Sequence, residues 1–493
     1  MLVGDSRLIT FTDQPAALRY HERTKHSPAS LRARAHFLDW SRRPVPFKDY
    51  PDLEPLPLAA DLPDSRVPAL TAIASAGAPS AGEPTLPHLA RLLRYGAGVI
   101  RTRALPGDVT YHFRTYSSAG ALYPVEVYLA CAELPGLAAG LYHFHPLELA
   151  LRRLRADDVR ARLAEAVDAP AIAEAGAVLV LTGILWRSAW KYQERAYRHL
   201  YWDAGTILAN LLALAASSGL EPRLLTGFVD AEVDRLVGAD GKLEAALALL
   251  AVGRGAAAAP CGPPAPLPPP SVPHALRYPE AEALHAASSL HALEEVRRYR
   301  APSVGEEADA EPPAAPDLES PPLELVLRRR GSERDFSLEP VPARELAAIL
   351  ACAGAPIPAD TPSLTETFLI VNAVDGLAPG SYRFQPRAGL ELLRQGSFRT
   401  EAGYLCLQQE AAARAATTIF FLADLERVVA ELGDRGYRAA QLEAGIRTGR
   451  VYLGAYALGL GATGLTFYDD DVSAFLGLDA TTQPMLCVAV GRP

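Results

Sequence analysis

The chain has 493 residues, 49% apolar and 21% charged, the proportions of a folded globular protein long enough for more than one domain. A net charge of −9 argues against a nucleic-acid binder, and no apolar run approaches the ~18–20 residues that span a bilayer. The five cysteines are scattered without a C-x-x-C spacing, so neither zinc nor a disulfide framework is expected. Met1-Leu2-Val3-Gly4-Asp5 lacks the basic start of a signal peptide, which makes a cytoplasmic location the expectation.

Residues 1–68 read as a leader, with Tyr20-His21-Glu22-Arg23-Thr24-Lys25-His26 ahead of the proline-punctuated Pro44-Val45-Pro46-Phe47-Lys48. A first domain is expected over 69–255. Its predicted helices are Leu86–Tyr95 and Ala196–Ser218, the latter with Leu200, Ala204, Ile207, Leu208, Leu211 and Leu212 near a 3.6-residue period. Val125–Ala132, Ala177–Gly183 and Leu247–Val252 are apolar, turn-bounded and predicted as strands, the third on a composition that suits a helix equally. Residues 256–322 are read as a linker. Pro260-Cys261-Gly262-Pro263-Pro264 and Pro268-Pro269-Pro270 can continue neither helix nor sheet. A helix over Pro279–Tyr299 and an acidic, proline-rich run over Glu306–Pro322 complete it. The second domain is 323–493, with an early helix at Val341–Leu350. Strands and helices interleave in both domains, so the fold class is α+β, or α/β with a mixed sheet.

The two domains repeat one another. Tyr197-Arg198, Asp203-Ala204-Gly205 and Gly219-Leu220 return 240 residues later as Tyr437-Arg438, Glu443-Ala444-Gly445 and Gly459-Leu460. Gly140-Leu141-Tyr142-His143-Phe144-His145-Pro146 returns at the same spacing as Gly380-Ser381-Tyr382-Arg383-Phe384-Gln385-Pro386. Val252-Gly253-Arg254 matches Val490-Gly491-Arg492, two residues out of register. A duplication of this length predicts an internal pseudo-dimer, with sites assembled from both halves.

The copies have lost different parts. Arg330, Ser332 and Arg334 set two planar guanidiniums and a hydroxyl at i, i+4 and i+2, a set suited to phosphate; a basic helix end salted by neighbouring acids would give the same residues. The corresponding stretch of the first copy, Val67–Gly77, has no such motif. Conversely, Arg114-Thr115-Tyr116-Ser117-Ser118-Ala119-Gly120-Ala121-Leu122-Tyr123-Pro124 has no counterpart in the second copy. Its small residues and hydroxyls suit close approach of backbone to a flat ligand, or an ordinary turn into a strand. Lys191-Tyr192 is replaced by Glu431-Leu432. Gly459-Leu460-Gly461-Ala462-Thr463-Gly464 fits G-x-G-x-x-G but closes a helix instead of opening one, so a dinucleotide fingerprint is rejected in favour of helix-ending glycines. His143, His145 and His199, beside aromatic residues, read as packed core.

Arg-x-Ser-x-Arg, Ser-Ser-Ala-Gly-Ala-Leu-Tyr-Pro and Gly-Leu-Gly-Ala-Thr-Gly before a final strand with Gly-Arg resemble the flavin-dependent nitroreductase superfamily. The leader, the Ser-Ala-Gly-Ala-Leu-Tyr-Pro run and Trp190-Lys191-Tyr192 with Arg195-Ala196-Tyr197-Arg198 are similar to its SagB-type dehydrogenase branch, some members of which oxidise thiazolines and oxazolines in peptides. The resemblance implies a nitroreductase-like fold with FMN at the interface of the halves. Arg330, Ser332, Arg334 and Arg492 would hold its phosphate; Arg114, Ser117, Ser118 and Gly120 would line it; Leu465, Thr466 and Phe467 would approach its reactive edge. The mirror position lacks both parts, so one FMN per chain is expected. Lys191 and Tyr192 are the catalytic candidates, a desolvated amine for proton removal and a hydroxyl to relay or orient. The implied function is oxidation of an azoline-like C–N bond in a peptide or small metabolite, with oxygen or another acceptor regenerating the flavin. A nitro or quinone reductase using NAD(P)H, and a non-catalytic flavin-binding scaffold, are the competing readings. A peptide substrate would be brought by a partner such as a cyclodehydratase complex, or held by the leader and linker. No metal, nucleic acid or membrane is implied, and the internal pairing leaves a monomer sufficient.

Overall fold

Helices Ala196–Ser217 and Asp434–Ala457 lie at the centre of the computed structural model, buried along nearly their whole lengths. The first is mostly apolar, as a helix enclosed on all sides must be. The second carries four buried arginines, which interior positions tolerate only when neutralised or hydrogen-bonded. Arg435 and Arg438 meet Asp230 at 2.6 and 2.8 Å, Arg447 meets Glu443 at 2.8 Å, and Arg450 donates to the carbonyl of Pro356 at 2.9 Å. The helices cross at Gly205 and Gly445. A Cβ on Gly205 would sit 2.6 Å from the Gly445 backbone, so two glycines are required there.

The structure describes residues 14–34, 36–75, 80, 82–105, 109–262, 264–267, 276–300 and 317–493. Ala76 and Gly77, Pro268-Pro269-Pro270 and most of the acidic run at 306–322 lie outside them. The first half supplies β1 (Pro55–Pro57), a hairpin of β2 (Val99–Leu105) and β3 (Val109–Arg114), then β4 (Val125–Cys131), β5 (Gly140–His145), β6 (Ala150–Arg155), β7 (Ala175–Ile184), β8 (Pro222–Leu225) and β9 (Glu244–Arg254). The second supplies β10 (Val341–Pro342), β11 (Glu366–Val371), β12 (Val374–Asp375), β13 (Gly380–Gln385), β14 (Gly389–Gln395), β15 (Thr417–Asp424), β16 (Gly461–Leu465) and β17 (Thr482–Gly491). One sheet runs β1-β6-β5-β4-β7-β9-β8 and the other β14-β13-β11-β15-β17-β16. Leaving β1 aside, the second order repeats the first strand for strand.

This is the nitroreductase-like α+β fold, in two tandem copies. Its sheets differ from the expectation in one respect: every described ladder within the two large sheets is antiparallel, and the parallel ladder is the two-residue pair β10/β12. The ambiguous Leu247–Val252 is strand, inside the longer β9. There the stretch pairs between β7 and β8, and that pairing overrides the helical propensity of its Leu and Ala. The helix expected over Pro279–Tyr299 is two helices, Pro279–Ala287 and Leu293–Arg300. Between them Leu290 N–H donates to Asp230 and its carbonyl accepts from Asp230 N–H, a local pairing incompatible with continuous helix.

The pseudo-two-fold relation reaches beyond the expected 69–255 and 323–493. Ala69 N–H donates to Pro321 O while Leu323 N–H donates to Val67 O, a reciprocal bridge near the axis. Leader helix Ala16–Thr24 and linker helix Pro279–Ala287 occupy equivalent places. His21 Nδ1 meets the Tyr437 hydroxyl at 3.2 Å, and His285 Nδ1 meets that of Tyr197 at 3.1 Å. Arg198 donates to the carbonyl of His21, and Arg438 to that of His285. Asp469 takes His26 N–H and Asp230 takes Leu290 N–H. The leader is thus an integral first element of the repeat. With the histidines aligned, its sequence matches the linker helix also at Pro15/Pro279 and the buried Ala17/Ala281, and differs elsewhere.

Candidate functional site

Helix Leu185–Tyr192 ends on the predicted pair. Lys191 is half-buried, and its Nζ lies 5.4 Å from the Tyr192 ring centre. Burial lowers its pKa below the ordinary lysine value, and the positive charge of Arg334, from the other half, lowers it further. Tyr192 stacks on His199 (4.2 Å, 27°), which itself lies 4.5 Å from Trp202. His199 is fully buried, neither ring nitrogen has a partner among the described residues, and burial drives its pKa far down, so it acts as a neutral aromatic plate. Tyr192 titrates well above the usual phenol because it is buried. Just beyond the pair, Gln193 adopts φ +48°, ψ −138°, a region essentially restricted to glycine. The second copy has Gly433 there. The first copy thus holds a strained residue directly after the candidate catalytic pair.

The Ser-rich turn packs against that pair. A Cβ on Gly120, whose φ is +64°, would lie 2.9 Å from the Tyr192 hydroxyl and 3.4 Å from the Lys191 side chain. The central helix fixes the turn. Asp203 accepts from the Ser118 hydroxyl and from Ala119 N–H, and Thr206 donates to Ser117 O. Buried without a cationic partner in contact, the Asp203 carboxyl is pushed up to about 8. The second half closes the other side. Arg330 donates to the carbonyls of Thr115 and Arg114, both at 3.0 Å. Ser117 donates to the Tyr452 hydroxyl at 3.2 Å, Ser332 lies 3.2 Å from the same oxygen, and Gly464 N–H donates to it at 2.6 Å. One phenol therefore joins a serine from each copy to the glycine preceding Leu465.

The sequence-predicted residues separate into three groups. Ser117, Ser118, Gly120, Lys191, Tyr192, Ser332 and Arg334 are brought together, with Leu465-Thr466-Phe467 continuing from Gly464. Phe467 is buried 6.5 Å from the Trp202 ring. Arg334 is exposed, and neither it nor Lys191 has an ion-pair partner among the described residues. Arg330 differs from its expected role: it is buried and committed to backbone carbonyls. Arg114 is likewise turned away, donating to Pro46 O and lying over the Tyr123 and Phe47 rings, so only its carbonyl belongs to this junction. Arg492 donates through Nε to Pro340 O at 3.0 Å. Two cations without an ion-pair partner among the described residues, beside hydroxyls and a left-handed glycine that packs on Lys191 and Tyr192, fit FMN: an anionic group at Arg334 and Ser332, and a flat ring along the Ser117–Gly120 turn. Two cavities of about 790 and 440 Å³ are lined by other residues and lie outside this cluster.

The mirror position is closed. Thr226 and Gly227, equivalent to Thr466 and Phe467, are held by Asp360, which accepts from both their N–H groups at 2.8 and 3.0 Å and from the Thr226 hydroxyl. Linker residues Tyr299 and Arg300 pack over them; a Cβ on Gly227 would meet the Tyr299 ring at 2.7 Å. The second copy does retain a hydroxyl turn, contrary to expectation. Ser363 and Thr365 are held by Glu443 as Ser118 is held by Asp203. What it lacks is the longer β2–β3 hairpin excursion before it.

Four residues were not singled out from the sequence. Tyr452 stands where the first copy has Leu212, so the 240-residue register already marked it as asymmetric. Asp203 and Glu443 lay inside the quoted repeat. Gln193 facing Gly433 gave no sign of its backbone conformation beyond that substitution.

The sequence pattern of the Nitroreductase family matches residues 79–254 and again 327–492. A putative nitroreductase of Methanocaldococcus jannaschii is 32% identical over 194 residues, 36% of this chain and 94% of that protein. The microcin B17-processing protein McbC of Escherichia coli is 30% identical over 148 residues, 29% of this chain, and the match spans 53% of McbC. The crystal structure of a putative nitroreductase from Anabaena variabilis is similar over 97% of this chain and 100% of its own, with a TM-score of 0.77 and 28% identity. Both halves together are therefore shared with a single solved chain.

Proposed function

The chain belongs to the nitroreductase family, and from that membership and the site geometry we propose that it is an FMN-dependent dehydrogenase. It would oxidise an azoline-like C–N bond in a peptide or small metabolite, at one composite site between its halves. The observation that carries the reading is half-buried Lys191 beside Arg334 of the opposite copy, with burial first and the Arg334 charge second lowering the lysine pKa. Similarity to McbC, a microcin-processing protein, favours a peptide substrate over a nitro compound.

Ser332 and Arg334 would hold the phosphate of FMN, Ser117 and Gly120 would lie along it, and the bound cofactor would supply a two-electron acceptor. The chain supplies proton handling and positioning. Lys191 Nζ, with its pKa lowered, carries a larger neutral fraction near pH 7–8 than an ordinary lysine and accepts the proton from substrate carbon. Tyr192 stays protonated, because its pKa is raised, and donates a hydrogen bond while His199 fixes its ring. Gly120 lets the Ser-rich turn pack directly against both groups and hold them in place. Phe467 and Trp202 close the inner wall and exclude water.

The test is anaerobic reaction of the flavin-loaded protein with a thiazoline-containing peptide and, separately, with NADPH. The peptide is expected to bleach the flavin faster. Lys191→Ala should keep its flavin and lose about 10²–10⁴-fold in rate, the usual contribution of a general base. The wild-type rate should rise with pH through a pKa below that of free lysine. Faster bleaching by NADPH, or unchanged turnover in Lys191→Ala, would contradict the proposal.

A further inference from the structure

The repeat is broken at one buried pair. In the second copy Gln483 on β17 places its Oε1 3.2 Å from His21 Nε2. The equivalent of Gln483 on β9 is Ala245, fixed by strand register: Ala245 faces Gly183 as Gln483 faces Ala423. The equivalent of His21 is His285, whose Nδ1 is within 3.1 Å of both the Tyr197 hydroxyl and Arg438 Nη2. An arginine donates only, so Nδ1 is the acceptor and the ring proton sits on Nε2. Burial, reinforced by Arg438, lowers the His285 pKa to about 3, which keeps the ring neutral. No described residue pairs with Nε2.

A cavity of about 790 Å³ occupies the place of the missing amide. Leu185, Leu200, Leu247 and Ala231 give it apolar walls, with Ala245 and His285 also in its lining. Asp234 lines it too, where the second copy has the shorter Ser473. One of its carboxylate oxygens accepts Ala246 N–H at 2.7 Å, and the other is without a described partner. Among these walls His285 Nε2 is an N–H donor and Asp234 a carboxyl acceptor, the complement of a peptide unit flanked by apolar side chains, while Arg235, Asp240, Lys242, Arg277 and Glu282 also contribute to the lining. Its volume lies within the ~300–1,000 Å³ of ordinary ligand sites. Leu185 opens the helix that carries Lys191, and the neighbouring cavity of about 440 Å³, lined by Trp186 and Trp190 of the same helix, shares Arg277 with it.

We propose that this cavity is a second binding site, outside the flavin cluster, for a short apolar peptide segment. One carbonyl of the segment takes the position of the Gln483 amide oxygen and accepts from His285 Nε2, and an N–H of the same segment meets Asp234. The site depends on neither flavin chemistry nor azoline oxidation.

The probe is N-acetyl-Leu-Ala-Leu-amide, titrated calorimetrically into the full-length, flavin-loaded chain. Saturable binding is expected in the wild type, and Ala245→Gln, which restores the partner seen in the other copy, should weaken it about ten-fold or more. Retained flavin absorbance in that variant shows that the fold is intact. If Ala245→Gln does not accumulate, Ala245→Leu fills the same space and should weaken binding alike. No binding to the wild type, or equal affinity in the filled variant, overturns the proposal. An n-alkyl probe of equal length without amides binding as tightly also overturns it, since the cavity would then recognise only apolar bulk. Peptide binding without azoline turnover would leave this site standing and sink the proposed reaction.

Discussion

Arg330 and Arg334 belong to one motif, but the structure gives them different work, and this can be measured. Arg330 is buried and donates to two carbonyls of the opposite half at 3.0 Å. Hydrogen bonds from a charged donor contribute roughly 1.5–3 kcal/mol each, and an orphaned buried carbonyl costs about 1–3 kcal/mol. Relief of guanidinium desolvation offsets part of the loss, so Arg330→Ala should destabilise the flavin-free chain by about 3 kcal/mol. Arg334 is exposed and its side chain touches no acceptor among the described residues, so Arg334→Ala should leave flavin-free stability within about 0.5 kcal/mol, the range of ordinary surface substitutions. Both variants should lose flavin affinity, one by loosening the junction and the other by removing a charge. Urea denaturation of the stripped proteins, paired with FMN titration, separates the two. Equal, unchanged flavin-free stability in both would refute the assignment of Arg330 to the backbone.

At the helix crossing, Gly205→Ala would drive a methyl into the Gly445 backbone at 2.6 Å. A loss of about 3 kcal/mol or more is expected, the upper end of overpacking costs, read as a lowered denaturation midpoint; a wild-type midpoint would contradict the contact. Asp203 gives a pH signature. Its folded pKa, raised to about 8 against 3.8 in a free chain, means the folded state binds more protons between these values. Its contribution is full below about pH 4 and is lost as pH rises through about 8. Asp203→Asn should therefore lose less stability than wild type between pH 5 and 9, and parallel pH profiles would contradict it.

Much of the architecture was legible because the duplication keeps its register. The 240-residue spacing of Tyr197/Tyr437, Gly205/Gly445 and Gly219/Gly459 turned out to trace the crossing helices and the glycines that end them. Residue-type asymmetry also pointed to this junction, where Lys191-Tyr192 and Ser117–Gly120 from one copy meet Ser332 and Arg334 from the other. The failures have physical causes. Arginine motifs look alike whether their forks meet a phosphate or a carbonyl, so Arg330 and Arg114 could not be separated from Arg334 without burial. The leader and linker helices share a histidine and an environment but little sequence, because what is repeated is the Arg–Asp–His clamp against the central helices. The closed mirror position depended on Asp360 and Tyr299, which nothing in the sequence brings near Gly227.

A single cofactor is expected between the two halves, with its mirror position plugged by Tyr299, Arg300 and Asp360. The most direct measurement is the FMN-to-chain ratio of the reconstituted protein at saturating FMN, from flavin absorbance against protein concentration, in wild type and in Arg334→Ala. A ratio close to one is expected in the wild type, with markedly weaker retention in the variant. A ratio near two, or none at all, would contradict it.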